Sequence, residues 1–287
     1  MQILEIIKAV ILGVIEGITE WLPVSSTGHM ILFNSFWPMD PHVYRGGNGQ
    51  EFIDLFLIVI QLGAILAVMV LYRHRLNPFS QHKTPAQRKG TWMLWYKVFI
   101  ASIPALIVGV LFEHKIKTKL YNPPVIAVAL IVYGILFIVI ENKHRTPHMK
   151  TPDSIDTRTA FLIGMFQALS LIPGTSRSGS TILGAILLGC ARPAAAEFSF
   201  FMAIPAMIVA SGKDCIQYFV QNGGGFTGFE TSVLLTGMVI AFIVSVFAVK
   251  GLMKFVKEHD FKPFGWYRIV LGAVVILFSL THVLRMS

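Results

Sequence analysis

Six stretches of the chain are apolar almost from end to end: 52–72, 94–112, 124–140, 198–217, 232–249 and 266–284. Each comes at or near the ~20 residues that a helix needs to cross the hydrocarbon core of a bilayer. Composition points the same way. Of 287 residues, 54% are hydrophobic and only 14% are charged, and the mean hydropathy is +0.67. A soluble globular protein carries about 25% charged residues, and so few charges cannot cover a globule with polar surface. The same apolar content excludes a disordered chain. Length alone would fit one or two soluble domains; the chain reads instead as an all-α integral membrane protein.

Two further apolar regions, 3–37 and 159–190, are broken in the middle. The first break is Leu22-Pro23-Val24-Ser25-Ser26-Thr27-Gly28-His29, and the second is Ile172-Pro173-Gly174-Thr175-Ser176-Arg177-Ser178-Gly179-Ser180-Thr181. Each half is short for a full span. The pattern predicts two helix–loop–helix hairpins, each entering and leaving on one side. Non-helical backbone at membrane depth persists only where protein or water satisfies its polar groups. Both loops are therefore expected to be buried or to line a wet cavity.

The two broken regions match at an offset of 151 residues. Gly13 falls on Gly164, Glu16 on Gln167, Thr19 on Ser170, and Ser25-Ser26-Thr27-Gly28 on Ser176-Arg177-Ser178-Gly179. Three spans follow each region. The predicted organisation is one membrane domain, 1–287, made of two repeats. Repeat one, 1–145, holds hairpin 3–37 and spans 52–72, 94–112 and 124–140; repeat two, 155–287, holds hairpin 159–190 and spans 198–217, 232–249 and 266–284. A hairpin does not change sides and three spans do, so the repeats should have inverted topology. Such folds place their site at the midplane, where broken helices meet. The expected fold is six transmembrane helices plus two re-entrant helix hairpins.

The net charge is +9, from 24 Lys and Arg against 15 Asp and Glu. These charges lie in short loops between apolar spans, which argues against nucleic acid as a partner and for a role in orientation. The face with the N-terminus carries six Lys and Arg, or seven with Lys8; the other carries sixteen, Arg268 among them. The richer face should be cytoplasmic, which turns both termini and the mouth of the first hairpin outward. Cys190 and Cys215 form no CxxC and no His/Cys cluster, so a zinc site or disulfide framework is not expected. Met1 to Leu22 holds Glu5, Glu16 and Glu20 and lacks a small-residue cleavage pattern, so it is not read as a cleaved signal peptide.

Glu16 and Glu20 lie four residues apart and share a helix face. Carboxylates within a membrane-embedded helix are costly and mark function. A divalent cation such as Mg²⁺ or Ca²⁺ would suit their oxygens; the alternative is a pair held by Arg or Lys for structure. Ser25, Ser26, Thr27 and His29 place hydroxyls beside an imidazole, the minimum for nucleophilic catalysis, although capping of the next helix explains one hydroxyl and His29 could be a satisfied core histidine. Arg177 is the single charge of the second loop, flanked by Gly174, Thr175, Ser176 and Ser178. Its planar fork suits phosphate oxygens, and the N–H groups of a helix start add an anion cradle; a structural salt bridge to Glu16 or Glu20 is the alternative. Metal ligands, arginine and nucleophile at one point read as phosphoryl transfer. Gln61 and Asp54, seven apart on one span, either line the cavity or fix packing, and Glu197 begins the equivalent span at the interface. Arg192 does not start a type 2 phosphatidic acid phosphatase signature: position 185 is Ala where that needs Lys, and 183 is Leu where it needs His.

Gly13-Val14-Ile15-Glu16-Gly17-Ile18-Thr19-Glu20-Trp21-Leu22-Pro23-Val24-Ser25-Ser26-Thr27-Gly28-His29 resembles the first signature of the BacA-type undecaprenyl-diphosphate phosphatases. Pro173-Gly174-Thr175-Ser176-Arg177-Ser178-Gly179 resembles the second, and Ile60-Gln61-Leu62-Gly63-Ala64 fits as well. The likeness runs over essentially the whole chain. It implies removal of the terminal phosphate of undecaprenyl diphosphate, which regenerates the carrier lipid for peptidoglycan synthesis and gives bacitracin resistance. It also implies a Mg²⁺ or Ca²⁺ cofactor, a polyprenyl diphosphate partner in the plasma membrane and a site open to its outer face. It maps the acidic motif onto Glu16 and Glu20, the hydroxyl onto Ser26, the histidine onto His29 and the phosphate-binding arginine onto Arg177. The expected chemistry is attack by Ser26, or a water beside it, with His29 as base; nucleophile and oligomeric state, a homodimer included, stay open. The rival class is a polyprenyl phosphate transporter using the same inverted-repeat cavity. A transporter needs the anion site but no nucleophile. A non-catalytic lipid scaffold would leave the metal-and-nucleophile set unexplained.

Overall fold

The computed structural model describes residues 1–44, 49–143, 146–222 and 225–281. Arg45, Arg145 and Arg285, which enter the charge argument, and the end of the predicted span 266–284 lie outside the described residues. Eleven helices follow in order among those described. They are α1 (Gln2–Thr19), α2 (Ser26–Phe36), α3 (Gly49–Leu71), α4 (Arg73–Leu76), α5 (Pro85–Leu120) and α6 (Pro123–Glu141), then α7 (Thr157–Leu169), α8 (Arg177–Leu187), α9 (Arg192–Asn222), α10 (Gly228–Glu258) and α11 (Lys262–Leu280). The described residues contain no strand beyond one bridge between Met149 and Cys190. Six helices are long and apolar enough to cross a membrane: α3, α5, α6, α9, α10 and α11.

These six coincide with the six apolar stretches, but several run further. The stretch 94–112 belongs to a helix of 36 residues, and 232–249 to one of 31. Hydropathy marks only the part that lies in lipid, whereas capping chemistry marks where a helix begins. Thr84 caps α5 by accepting from the Gln87 N–H at 3.3 Å, while the Gln87 side chain accepts from the Thr84 N–H at 2.9 Å. Thr227 and Glu230 repeat this reciprocal pair at α10, at 3.2 and 2.8 Å. Each pair satisfies two N–H groups that a helix start would otherwise leave open.

The two halves of the chain interlock. The first-hairpin helix α1 packs on α10, and the second-hairpin helix α7 packs on α5; α3 pairs with α9, and α6 with α11. Close backbone approach makes these pairs. A Cβ on Gly13 would sit 2.7 Å from the Gly237 carbonyl oxygen, and one on Gly17 2.8 Å from that of Ala241. The Ser245 hydroxyl donates to the Gly17 carbonyl at 3.2 Å. Small residues at such crossings let helices gain dispersion contact in a solvent that offers no hydrophobic drive between them. The register also fixes direction: 13 to 17 on α1 follows 237 to 241 on α10, so the two helices are parallel. On α2, Gly28 faces Leu271 and Phe36 meets Phe278 edge-on at 4.9 Å, so α2 runs alongside α11 in the same direction.

Gly17→Leu should therefore wedge α1 off α10. Overpacking costs on the order of 1–3 kcal/mol, at roughly 2–4 °C per kcal/mol for a chain near this size. A detergent unfolding midpoint several degrees lower is expected. Gly212→Leu is the control, because nothing lies within 4 Å of its added Cβ. Equal midpoints for the two variants would refute the close-approach account.

Candidate active site

The two loops turn in the same way. Ser25 (φ 76°) and Ser176 (φ 69°) are the non-glycine residues with positive φ among those described, and they stand 151 positions apart, the offset at which the two broken regions match. Each caps the helix that follows. The Ser25 hydroxyl accepts from the Gly28 N–H at 3.3 Å, and the Ser176 hydroxyl from the Gly179 N–H at 3.1 Å. Left-handed backbone at a non-glycine residue costs of order 1–3 kcal/mol and survives only where its surroundings enforce it. Its effect is to place Ser26 and Arg177 at the first position of α2 and α8, where backbone N–H groups are free to face an anion.

Those two residues meet on Glu20. One Glu20 oxygen, Oε2, accepts from the Ser26 hydroxyl at 2.9 Å. The other, Oε1, accepts from Arg177 Nη2 at 3.2 Å and from Nε at 3.4 Å. Arg177 Nη1 donates to the Ser199 carbonyl at 2.8 Å, and the guanidinium lies 5.7 Å from the centre of the Trp21 ring. Three of the five guanidinium N–H groups are thereby committed, leaving two. Ser178 bolts the loops together, donating to the Glu20 carbonyl at 2.9 Å and to that of Leu22 at 3.3 Å. Thr181 donates to the Arg177 carbonyl at 2.8 Å and shares a 2.6 Å hydrogen bond with the Ser199 hydroxyl. Arg177 thus forms the salt bridge to Glu20 and keeps two donors uncommitted.

Glu16 is buried one turn below Glu20, with Glu20 and Arg177 as its charged neighbours, and its Oε1 has no hydrogen-bond partner. An orphaned carboxylate oxygen beside a second carboxylate fits a hard cation. No cluster of three or more His, Cys, Asp or Glu occurs among the described residues. That suits Mg²⁺, which is held by one or two carboxylates with substrate phosphate and water completing its shell, better than an all-protein cage.

His29 is engaged elsewhere. Its Nδ1 lies 2.7 Å from the Ser25 carbonyl. A carbonyl only accepts, so Nδ1 carries the proton. Nε2 then accepts from the Tyr267 hydroxyl at 2.6 Å, with the two rings stacked 5.6 Å apart. The group on the Ser26 hydroxyl is Glu20, not His29. Thr27 is half-buried and, like Gln61 on α3, makes no side-chain hydrogen bond. Gly174 (φ 88°) needs its glycine, because a Cβ would meet the Ile126 carbonyl at 2.5 Å. Thr175 is buried, and Ser176 lies 3.2 Å from the Ser178 hydroxyl. Asp54 is exposed and bonded to Gln50 at 2.9 Å, away from the two loops. Glu197 pairs with Arg75 at 3.0 Å, as an interfacial residue would.

Sequence reasoning missed Arg268. Counted among the charges of the richer face, it is instead fully buried. It donates to the Pro23 carbonyl of the first loop at 3.2 Å and to the Gly174 and Thr175 carbonyls of the second at 2.9 Å each, with Tyr133 5.5 Å away. Its place inside the apolar stretch 266–284 was the available signal, since an arginine within a span seeks the protein interior. Tyr267 and Ser199 were likewise missed; their side chains carry no mark before the fold brings them to the loops.

Comparison with known proteins gives one answer. The family described as "Bacitracin resistance protein BacA" matches residues 9–274. A protein named undecaprenyl-diphosphatase from Latilactobacillus sakei subsp. sakei (strain 23K) is 53% identical over 278 residues, 96% of this chain and 98% of that protein. Undecaprenyl-diphosphatase 1 of Clostridioides difficile (strain 630) is 51% identical over 277 residues, 96% of this chain and 97% of its own. The undecaprenyl-diphosphatase of Enterococcus faecalis is 49% identical over 284 residues, with 97% and 99% covered. With both loop signatures inside the matched region and half of all residues shared along nearly the full length, the chain belongs to the BacA family.

Proposed function

We infer that the protein hydrolyses undecaprenyl diphosphate to undecaprenyl phosphate and inorganic phosphate. It is a multi-pass membrane enzyme that returns carrier lipid to cell-wall synthesis, and it gives bacitracin resistance because that drug sequesters the diphosphate. The observation that carries this reading is the Ser26–Glu20–Arg177 chain of hydrogen bonds joining two helix starts, in a protein whose relatives bear that name.

Arg177 and the first N–H groups of α2 and α8 neutralise the terminal phosphate, which is where most of the barrier to phosphoryl transfer is removed. Oxygen attacks the terminal phosphorus, its bond to the bridging oxygen breaks, and undecaprenyl phosphate leaves with the electron pair. Glu20, on the Ser26 hydroxyl, takes the proton of the attacking group. If Ser26 itself attacks, a water later releases phosphate from it; if water attacks, Ser26 orients that water. His29, fixed between Ser25 and Tyr267, holds the first loop in register. Glu16 and Glu20 would bind a divalent cation, which when bound supplies Lewis-acid stabilisation of phosphate charge.

The finer architecture we propose is two inverted repeats with re-entrant hairpins. The exchanged pairings α1–α10 and α7–α5, the reversal from α1 into α2, and the matched serine turns support it. The Lys and Arg asymmetry supports termini and active-site mouth on the outer face.

Arg177→Ala should lower phosphate release from a long-chain prenyl diphosphate by on the order of 10² or more, the loss of one anion-stabilising donor. Arg177→Lys should restore little, lacking the planar fork. Near-normal turnover by Arg177→Ala would sink the role. Release should also stop in EDTA and return with Mg²⁺ or Ca²⁺, and Glu16→Gln should raise the metal concentration needed for half the rate. A Glu16→Gln protein with an unshifted metal titration would remove Glu16 from the cation site. Ser26→Ala separates enzyme from transporter: hydrolysis should collapse, and retained lipid movement without hydrolysis would favour transport.

A further inference from the structure

A second polar feature lies away from the two loops. The ends of α3 and α10 border an open surface cavity of about 510 Å³, lined by Leu71, Tyr72, Val249, Met253 and the lysines Lys250, Lys254 and Lys257, with Glu258 at its edge. None of the residues assigned to hydrolysis lines it. The three lysines stand at i, i+4 and i+7, one face of α10. All three are exposed, and among the described residues none of them forms a hydrogen bond or close ion pair. Two carboxylates stand near, Glu258 at the edge and Glu197, which pairs with Arg75 at 3.0 Å and also feels Lys257, so the three lysines leave the patch with a net positive charge.

Its depth can be placed from the helix. With 31 residues, α10 is roughly 46 Å long at 1.5 Å per residue, against ~30 Å of hydrocarbon. Its last turns therefore stand among headgroups. Ser245, which bonds Gly17 on α1, precedes the lysines by five to twelve residues, roughly 8–18 Å along the axis. The cavity thus lies beyond the tip of the first hairpin. Its floor of Leu71, Val249 and Met253 is apolar and its rim cationic. Tyr72 stands at the junction, where aromatic phenols gather in membrane proteins.

We propose that this cavity binds the headgroup of an anionic glycerophospholipid, the phosphate on the three lysines and the acyl chains over the apolar floor. A free anion would account for the lysines but not the floor, and a neutral lipid for the floor but not the lysines. Basic pockets between spans at a membrane surface recognise such headgroups. The proposal rests on the reading of α3 and α10 as spans and is independent of the hydrolytic assignment.

The test uses the full-length protein in mixed micelles of detergent with either phosphatidylglycerol or phosphatidylcholine, with lipid retained per protein read by native mass spectrometry. The wild-type chain should retain phosphatidylglycerol in preference to phosphatidylcholine. Lys250→Gln/Lys254→Gln/Lys257→Gln should bind it more weakly by about fivefold for each charge removed, with phosphate release within twofold of wild type. The corresponding triple Arg variant should keep the lipid. Met253→Trp, at a half-buried lining position, which narrows the floor and leaves the charges, should also lose it. Three results would overturn the proposal: equal retention of the two lipids by the wild type, unchanged retention in both the Gln and Trp variants, or complete displacement by millimolar inorganic phosphate. A Gln variant that changes oligomeric state while keeping the lipid would assign the lysines to a contact between copies and overturn it as well.

Discussion

Glu20 is a carboxylate in an apolar interior with a guanidinium on one oxygen and a hydroxyl on the other. Removing two charges from water costs several kcal/mol per ion unless good geometry and further hydrogen bonds compensate. Here the compensation is what joins the halves of the protein. Arg177 belongs to the second loop and Glu20 to the end of α1, so neither charge is stable in the membrane without the other half in place. Glu16, one turn earlier, lacks such compensation at Oε1, and the difference between the two carboxylates is the physical reason to look for a cation there.

The backbone serves the same end. Two serines in left-handed turns, 151 positions apart, start α2 and α8 so that Ser26 and Arg177, the first residues of those helices, meet on Glu20. Positive charge is therefore supplied as one fixed guanidinium and a set of fixed dipoles. Such preorganised groups need not reorient as phosphate charge develops, and that absence of reorganisation is the source of their catalytic value. Arg268 donates to carbonyls of both loops and so holds the two turns against each other.

The six spans were legible because a run of apolar residues has no other stable home. Their ends were not, because Thr84 with Gln87 and Thr227 with Glu230 set the starts from outside the apolar stretches. The loops were legible because Ser, Gly and Pro interrupt long apolar runs twice at one offset. The grouping of Glu20, Ser26 and Arg177 followed from their chemistry before any coordinates. The partner of His29 did not: Tyr267 is 238 residues away, and no local pattern marks it. Arg268 was misplaced for a related reason. A count of charges by face treats every arginine near a span end as facing water, and only the packing of α11 on α6 shows one turned inward.

The bond between Arg268 and the Pro23 carbonyl spans 245 residues. It joins the first loop to α11. Contacts of such sequence separation form late, after the intervening chain is in place. Before α11 is in place, Ser178 and Arg177 already tie the first loop to the second, but the Pro23 carbonyl lacks its buried donor. Three loop carbonyls, those of Pro23, Gly174 and Thr175, thus share a single buried guanidinium supplied from α11.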